Sequence, residues 1–292
     1  MEVFHEYPAF TLYRCLDCDF IMNSLLFGEE PEGVRSDAEN ESLRAAAPND
    51  LAQTFVEHSL FQLTLVSAVR PDGRTLLEIG PGTGEFLHLS HSAGWEVCGI
   101  EPSAAACADA RQKYGLKLIP GQWNRRLVEG RFFDAVVFWQ VLEHLADPLG
   151  FLREAASVLN PDGLLIFSLP NRSAFVNSVL GTKSPLFSNP GHLYHYTASN
   201  VRRLAQKASL KVISLFSREE PIRFLREIGS QLRFAGSDRQ PSIEDQMAVI
   251  GHLQGTCQGH ELYCVAGLSS RESSQPGQAD CYFTDRVFLT RG

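Results

Sequence analysis

A regular alternation of short apolar segments with helical segments constrains the fold of this chain more than any other feature. The alternation begins at Arg74 and runs to Asn171. The segments that read as strands are 74–80, 95–103, 117–123, 132–140 and 164–171, and helical patterns separate most of them. Strands that are apolar throughout and alternate with helices are typical of a parallel sheet covered by helices on both faces. The pattern therefore predicts an α/β fold.

The flanking segments extend this unit. We expect a helix that starts at Asn49 or Asp50 and ends before Pro71, because apolar residues recur there at helical spacing. Pro161-Asp162-Gly163 reads as a turn, and 171–196 reads as a polar loop. The later predictions are a helix over 197–209, a strand over 210–217, two helices over 218–234 and 242–254, and a strand over 260–268.

These elements predict three regions. Residues 50–270 would form one domain, in which 218–259 is a helical insertion before the last strand. Residues 1–49 would be an N-terminal extension that ends in a polar linker, and 271–292 a polar tail.

Composition excludes several classes of protein. With 44% hydrophobic and 21% charged residues, the chain is neither collagen-like nor wholly disordered. Its net charge of −8 argues against a large basic surface for nucleic acid or an anionic membrane. We see no apolar run long enough for a spanning helix and no secretory signal. The 7 cysteines are odd in number and scattered, which favours reduced thiols and a cytoplasmic location.

A glycine-rich loop follows the first strand of the alternation. It reads Gly80-Pro-Gly82-Thr-Gly84-Glu85, and it lets a ligand approach the backbone closely. A phosphate-binding loop of the P-loop type would need a lysine that is absent here. A dinucleotide fingerprint would need glycine where Glu85 stands. The loop therefore does not match either phosphate-binding motif.

Acidic residues near this loop favour a cationic ligand instead. Glu78 precedes the loop and Glu85 follows it, which makes a poor setting for a pyrophosphate. Glu101 ends the second strand, 21 residues after Gly80. A carboxylate at that position can accept hydrogen bonds from both hydroxyls of a ribose. S-adenosylmethionine (SAM), which is cationic and carries no phosphate, matches these features.

Five blocks of the sequence, in this order, resemble the class I SAM-dependent methyltransferases. They are LLEIGPGTGEFL (76–87), VCGIEPS (97–103), FFDAVVFWQVLEHLADP (132–148), VLNPDGLLIFSLPN (158–171) and GHLYHYTASNVRRLAQKASL (191–210). The resemblance is to the bacterial small-molecule branch, typified by the ubiquinone-pathway O-methyltransferases. It implies a Rossmann-like seven-stranded sheet, mostly parallel, with the last strand (260–268) inserted antiparallel.

The same resemblance implies a SAM cofactor and a small-molecule acceptor, methylated at oxygen. Methylation of nitrogen or carbon, for example on a nucleotide-linked sugar, is the alternative within the enzyme class. A non-catalytic SAM-binding partner subunit is the alternative outside it. A nicotinamide-dependent oxidoreductase is disfavoured by Glu85.

The cofactor-binding residues that the resemblance implies lie at the ends of successive strands. Two aromatic residues at these strand ends, Trp123 and Trp139 directly before Gln140, could be core residues rather than part of the site. The full expected set is Glu78, Gly80, Gly82, Gly84, Glu101, Pro102, Gln122, Trp123 and Gln140.

Three histidines are candidates for the acceptor side of the site. His192 and His195 lie in the loop after the fifth strand, and either could take the acceptor's proton or orient the acceptor. His144, beside Glu143, could help to shape the pocket. Loop histidines also often bond only to backbone, and the Glu143-His144 segment could simply begin the next helix.

The N-terminal pair Cys15-x-x-Cys18 resembles half of the zinc ribbon that precedes many domains of this kind. A structural zinc site needs four ligands, and no partner pair is evident. The sequence therefore predicts a degenerate ribbon without metal, and no metal site elsewhere. The insertion at 218–259 could cover the acceptor pocket or form the contact of a homodimer.

Overall fold

The computed structural model describes residues 1–28, 49–219 and 242–269. In the first helix, which begins at Asn49, the side chains are described from residue 56 onward. Within them lie two sheets. The strands of the smaller, antiparallel sheet are β1 (Glu2–Glu6), β2 (Thr11–Arg14), β3 (Ile21–Asn23) and β9 (Tyr194–His195). Those of the larger sheet are β4 (Thr75–Ile79), β5 (Glu96–Glu101), β6 (Ile119–Pro120), β7 (Phe133–Trp139), β8 (Leu159–Pro170), β10 (Leu210–Arg218) and β11 (Glu261–Leu268).

The larger sheet confirms the predicted α/β fold. Its strand order is β10-β11-β8-β7-β4-β5-β6. The pairs from β8 through β6 are all parallel, whereas β11 is antiparallel to both β8 and β10. The seven-stranded sheet with an inserted antiparallel last strand is therefore as expected.

Most of the described helices follow the predicted positions. They are α1 (Asn49–Val69), α2 (Glu85–Ser92), α3 (Ala104–Tyr114), α4 (Pro148–Ala156), α5 (Phe175–Leu180), α6 (Pro185–Ser188), α7 (Ala198–Lys207) and α8 (Ile243–Gly255). Ser103 caps α3 by accepting from the backbone of Ala106, and Gly115 ends it in the left-handed conformation. Thr197 caps α7 through a capping box with Asn200.

The apolar strands of the sequence lie in the core because both faces of the sheet are covered. Phe138 of β7 and Phe167 of β8 are fully buried and stack with ring centroids 4.8 Å apart. Burial of such side chains contributes on the order of 2 kcal/mol each. The central strands therefore hold the loops at their carboxyl ends on a rigid support.

Two local predictions were wrong. The third strand was expected over 117–123, but β6 contains only Ile119 and Pro120. Proline has no amide hydrogen to donate, and Gly121 follows with φ +139°, so the pairing stops there. The expected turn at 161–163 is a bulge inside β8, because Asn160–Gly163 fit between the pairs Phe133–Leu159 and Ala135–Leu164.

The segment expected to be a polar loop (171–196) is also largely ordered. It contains α5, α6 and β9, and β9 pairs with β3 near the N-terminus. Tyr194 and Tyr196 of this segment pack on Phe20, at centroid distances of 5.5 and 5.4 Å. Residues 1–28 are thereby joined to the elements that follow β8.

Some predictions fall outside the described residues. These are residues 29–48 of the polar linker, the first helix of the insertion beyond Glu219, and the tail 271–292 with Cys281. The second helix of the insertion is confirmed as α8. No helix in the described ranges is long and apolar enough to span a membrane.

Candidate functional site

The glycine loop lies at the carboxyl end of β4, the middle strand of the parallel part of the sheet. Gly80, Gly82 and Gly84 have φ values of +76°, +56° and +86°, which side chains other than glycine rarely adopt. At Gly80, a Cβ would also lie 3.1 Å from Cγ2 of Val141. Gly84 directly precedes α2, so the loop leads into a helix N-terminus.

Glu101 connects this loop to the next strand. Its carboxylate accepts hydrogen bonds from the backbone N–H of Gly82 at 2.8 Å and of Ser103 at 2.9 Å. The side chain is buried between the loop and the start of α3, while the neighbouring Pro102 is exposed. The strand end thus places a carboxylate beside the glycine backbone, as the sequence predicts.

Two further carboxylates make this region strongly acidic. Glu78 is 2% exposed, and its Oε2 has no hydrogen-bond partner among the described residues. Burial raises the pKa of Glu78 well above its ordinary value, and the charges of Glu85 and Glu101 raise it further. Thr83 donates to the Glu85 carboxylate at 2.6 Å. A cationic group in the loop would relieve this repulsion, whereas a phosphate would increase it.

Gln122 and Trp123 follow β6, at the same edge of the sheet. Gln122 is exposed, and Trp123 is half-buried against the main core. Part of the Trp123 ring is therefore a core group, which was the alternative to a role in cofactor binding. Its Nε1 is buried without a hydrogen-bond partner in the described part of the chain. Both residues line a surface cavity of about 680 Å³ that extends to Asp147 and does not include the glycine loop.

Gln140 follows β7 with φ +54°, a strained value for a residue with a side chain. Its backbone N–H donates to the carbonyl of Ser168 at 3.0 Å. Its Nε2 lies 3.2 Å from Oγ of Ser168 and 3.3 Å from Oε1 of Glu261. The amide is therefore held in place at the carboxyl ends of β7 and β8.

Glu261 belongs to a polar network that the sequence did not indicate. Tyr263 donates to Oε2 of Glu261 at 2.9 Å, and His58 Nε2 lies 2.8 Å from the Tyr263 hydroxyl oxygen. Arg218 lies 3.1 Å from Nδ1 of the same histidine. These residues come from α1, β10 and β11, so no local motif could reveal them. The one available signal is a glutamate that begins an antiparallel strand, at the same edge as the glycine loop.

The three candidate histidines lie together, but in different surroundings. His195 is fully buried, and neither ring nitrogen has a hydrogen-bond partner within the described ranges. Burial lowers the pKa of His195 to about 3, with contributions from His192 and Arg172. Phe187 packs on its ring at 5.2 Å. In this arrangement His195 is a packed side chain that does not reach solvent.

His192 and His144 are more accessible. The His192 Nδ1 lies 2.9 Å from the carbonyl oxygen of Leu186, and burial lowers the pKa of this histidine to about 4. The ring of His144 lies 5.1 Å from it, and its side chain is 43% exposed. Glu143 is 1% exposed, and burial raises its pKa to about 8. The structure thus brings Glu143, His144 and His192 together.

Cys15 and Cys18 lie close to each other at the turn between β2 and β3. Burial raises the pKa of Cys18 to about 11, and a hydrogen bond with Cys15 adds to this. No His, Asp or Glu of the described residues joins the pair as a third metal ligand. Asp19 instead forms ion pairs with Arg14 and Arg172, which tie this turn to the segment after β8.

The methyltransferase-domain family model matches residues 52–215, more than half of the chain. The chain belongs to the methyltransferase domain family. The matched range contains the glycine loop, Glu101, Gln140 and the three histidines. The Rossmann-like sheet of this methyltransferase domain is accordingly the one expected from its sequence.

Individual relatives match over shorter ranges. A protein of Mycolicibacterium smegmatis, named a probable S-adenosylmethionine-dependent methyltransferase, is 32% identical over 146 residues, which cover 50% of this chain and 55% of that protein. The ubiquinone biosynthesis O-methyltransferase of Caulobacter vibrioides is 35% identical over 108 residues, 35% of this chain and 43% of the relative. The chain thus spans about half the length of the curated relatives it matches.

Among solved structures, the fold resembles the plantazolicin methyltransferase BpumL in complex with SAH. The TM-score is 0.51 at 15% identity, and the match covers 85% of this chain and 93% of that one. At this identity the likeness concerns the fold.

Proposed function

We propose that this chain is a SAM-dependent methyltransferase that transfers a methyl group to the oxygen of a small molecule. The observation that carries the proposal is the buried Oε2 of Glu78, which has no hydrogen-bond partner among the described residues and lies near Glu85 and Glu101 at one glycine loop. SAM carries an ammonium and a sulfonium, which suit such a site. The membership of the methyltransferase domain family supports the same conclusion.

The residues of the chain would hold the cofactor at separate points. The backbone of Gly80–Gly84 would lie against the methionine part, with Glu78 below it. Glu101 would accept from the ribose hydroxyls, next to Pro102, and Gln122 and Trp123 would contact the adenine. Gln140 would face the sulfonium. When bound, SAM supplies an electrophilic methyl group, and the protein aligns the acceptor with it and excludes water.

Oxygen as the acceptor atom is supported by the ubiquinone biosynthesis O-methyltransferase among the relatives. An alcohol or phenol must lose its proton during transfer. Among the three candidate histidines, His144 and His192 are better placed for this than the fully buried His195.

The test has two steps. Isothermal titration with SAM and with NAD should give heat with SAM alone. A labelled-methyl screen against metabolite extracts should then yield a product whose label is on oxygen. A label on nitrogen or carbon would establish the alternative within the class. SAM binding without any labelled product would instead favour a non-catalytic partner subunit.

The remaining proposals concern the whole chain. We infer a homodimer, a cytoplasmic location and a domain that covers residues 50–270. Light scattering on the purified protein tests the first, fractionation of cells the second, and limited proteolysis the third.

A further inference from the structure

Glu143, His144 and His192 form a cluster of side chains next to the proposed cofactor site. A role in proton transfer alone does not account for how these side chains are arranged. Glu143 and His144 lie in the single turn of 3-10 helix that follows β7, and His192 lies just before β9. One ligand atom from each of the three lies within 4.8 Å of the others. The backbone N–H of Leu193 donates to the Glu143 carbonyl at 2.8 Å, which fixes the two segments relative to each other.

Both histidine rings are oriented by backbone carbonyls. The His144 Nδ1 lies 2.8 Å from the carbonyl oxygen of Gly191, and the His192 Nδ1 lies 2.9 Å from that of Leu186. A carbonyl oxygen can only accept, so each Nδ1 carries the hydrogen and each Nε2 carries the lone pair. Metal-binding histidines characteristically show this arrangement, in which the second nitrogen is held by a carbonyl or carboxylate.

The carboxylate of Glu143 supplies the independent observation. It is 1% exposed, and neither oxygen accepts a hydrogen bond within the described ranges. The Nε2 of His144 lies 3.9 Å from Oε1 of Glu143, too far for a hydrogen bond. A buried carboxylate without hydrogen bonds is costly, and such groups are usually paired or bound to metal.

We propose that Glu143, His144 and His192 form a binding site for a divalent transition-metal ion, for which Zn²⁺ is the best match. Two imidazoles and one carboxylate are a ligand set of catalytic zinc sites, which keep a further position open. The half-exposed ring of His144 leaves the cluster accessible from solvent. The site lies at the carboxyl end of β7, the same edge as Gln140.

The role of the metal ion rests on the proposed function. An acceptor hydroxyl would take the open position, and the ion would lower its pKa. The O–H bond breaks and its proton goes to solvent. The oxygen then forms its bond to the methyl carbon while the C–S bond breaks, which leaves a neutral thioether. A chelating acceptor, with two neighbouring oxygens, would fit such an ion best.

The experiment measures metal binding in the absence of SAM, so that its outcome does not depend on the proposed function. Chelator-treated full-length protein is titrated with Co²⁺, followed by visible absorption, and with Zn²⁺, followed by calorimetry. The variants are His144→Ala, His192→Ala and the isosteric Glu143→Gln. His91→Ala, on the exposed side of α2, is the matched control. Circular dichroism verifies that each variant is folded.

We expect one equivalent of Co²⁺ with a low-coordinate d–d spectrum. The three variants should bind at least about tenfold more weakly, and His91→Ala should bind as the wild type does. Thiolate-to-cobalt absorption that disappears in a Cys15→Ser/Cys18→Ser variant would place the metal at the N-terminal pair and overturn the proposal. So would a wild-type protein that binds no metal, or ligand variants that bind it unchanged.

Discussion

Glu101 illustrates how one side chain can organise the proposed cofactor site. Its two carboxylate oxygens accept from Gly82 and Ser103, and a glutamine could accept from only one of these N–H groups. Hydrogen bonds to a charged group contribute about 1.5–3 kcal/mol. We therefore expect Glu101→Gln to weaken SAM binding by roughly 10- to 100-fold, measured by calorimetry.

The control is Glu96→Gln at the other end of β5. The Glu96 side chain is 72% exposed and forms an ion pair with Arg131 at 3.6 Å. Its variant should bind SAM as the wild type does. Equal affinities for the wild type and Glu101→Gln would show that the carboxylate does not contact the ribose.

Asp134 gives a prediction about pH. Burial alone would raise its pKa, but hydrogen bonds from the backbone of Arg74 and Thr75 and from the side chain of Asn160 lower it to about 2. Because the pKa of Asp134 is lower in the folded state, its ionised carboxylate stabilises the fold. This stabilisation is complete above the ordinary pKa of 3.8 and is lost as the pH falls towards about 2.

We therefore expect Asp134→Ala to destabilise the protein by about 2 kcal/mol at neutral pH, and by progressively less between about pH 4 and pH 2. Urea unfolding at several pH values measures this. Asp109→Ala on α3, where the side chain is 51% exposed, is the control and should change stability little. A penalty for Asp134→Ala that is the same at both ends of this range would contradict the assigned pKa.

At the residue scale, spacing along the chain decided what could be predicted. Gly80, Gly82 and Gly84 could be read because the loop, the preceding strand and Glu101 are close in sequence. The network of His58, Glu261 and Tyr263 could not, because helix α1 and strand β11 meet only in the folded sheet.

At the scale of elements, the pairing of β3 with β9 is the feature that sequence reasoning missed. β9 has two residues, and its partner lies at the other end of the chain, so neither period nor turn chemistry reveals it. Phe20, which precedes β3, is 2% exposed and packs on Tyr194 and Tyr196. The small sheet therefore shares the main core.

This packing predicts the cost of truncating Phe20. Phe20→Ala should lower the free energy of unfolding by about 3–5 kcal/mol, as measured by urea denaturation. Leu16→Ala, in the same turn but 67% exposed, should change it by less than about 0.5 kcal/mol. Similar values for the two variants would mean that residues 1–28 do not pack on the segment after β8.

At the scale of the whole molecule, a parallel sheet covered by helices was predictable because the local patterns all agreed, whereas the antiparallel last strand followed only from the family resemblance. Apolar strands, capped helices and the glycine loop each pointed to the same doubly covered sheet. The proposed acceptor side was less predictable, since the residues assigned to it come from the loop after β7, the segment after β8, β11 and the N-terminal sheet. The carboxylates at the glycine loop, in contrast, come from the adjacent strands β4 and β5 and from the first residue of α2. They determine how the folded chain should respond to SAM.

A ligand that binds only the folded state raises the unfolding temperature. At a SAM concentration 100 times the dissociation constant, the stabilisation is about 2.7 kcal/mol. For a domain of this size, that corresponds to an increase in Tm of about 5–10 °C, measurable by differential scanning fluorimetry. NAD at the same concentration should leave Tm unchanged, because its pyrophosphate would face Glu78, Glu85 and Glu101. An increase with NAD but not with SAM would mean that these carboxylates do not select a cation, and the proposed cofactor would be wrong.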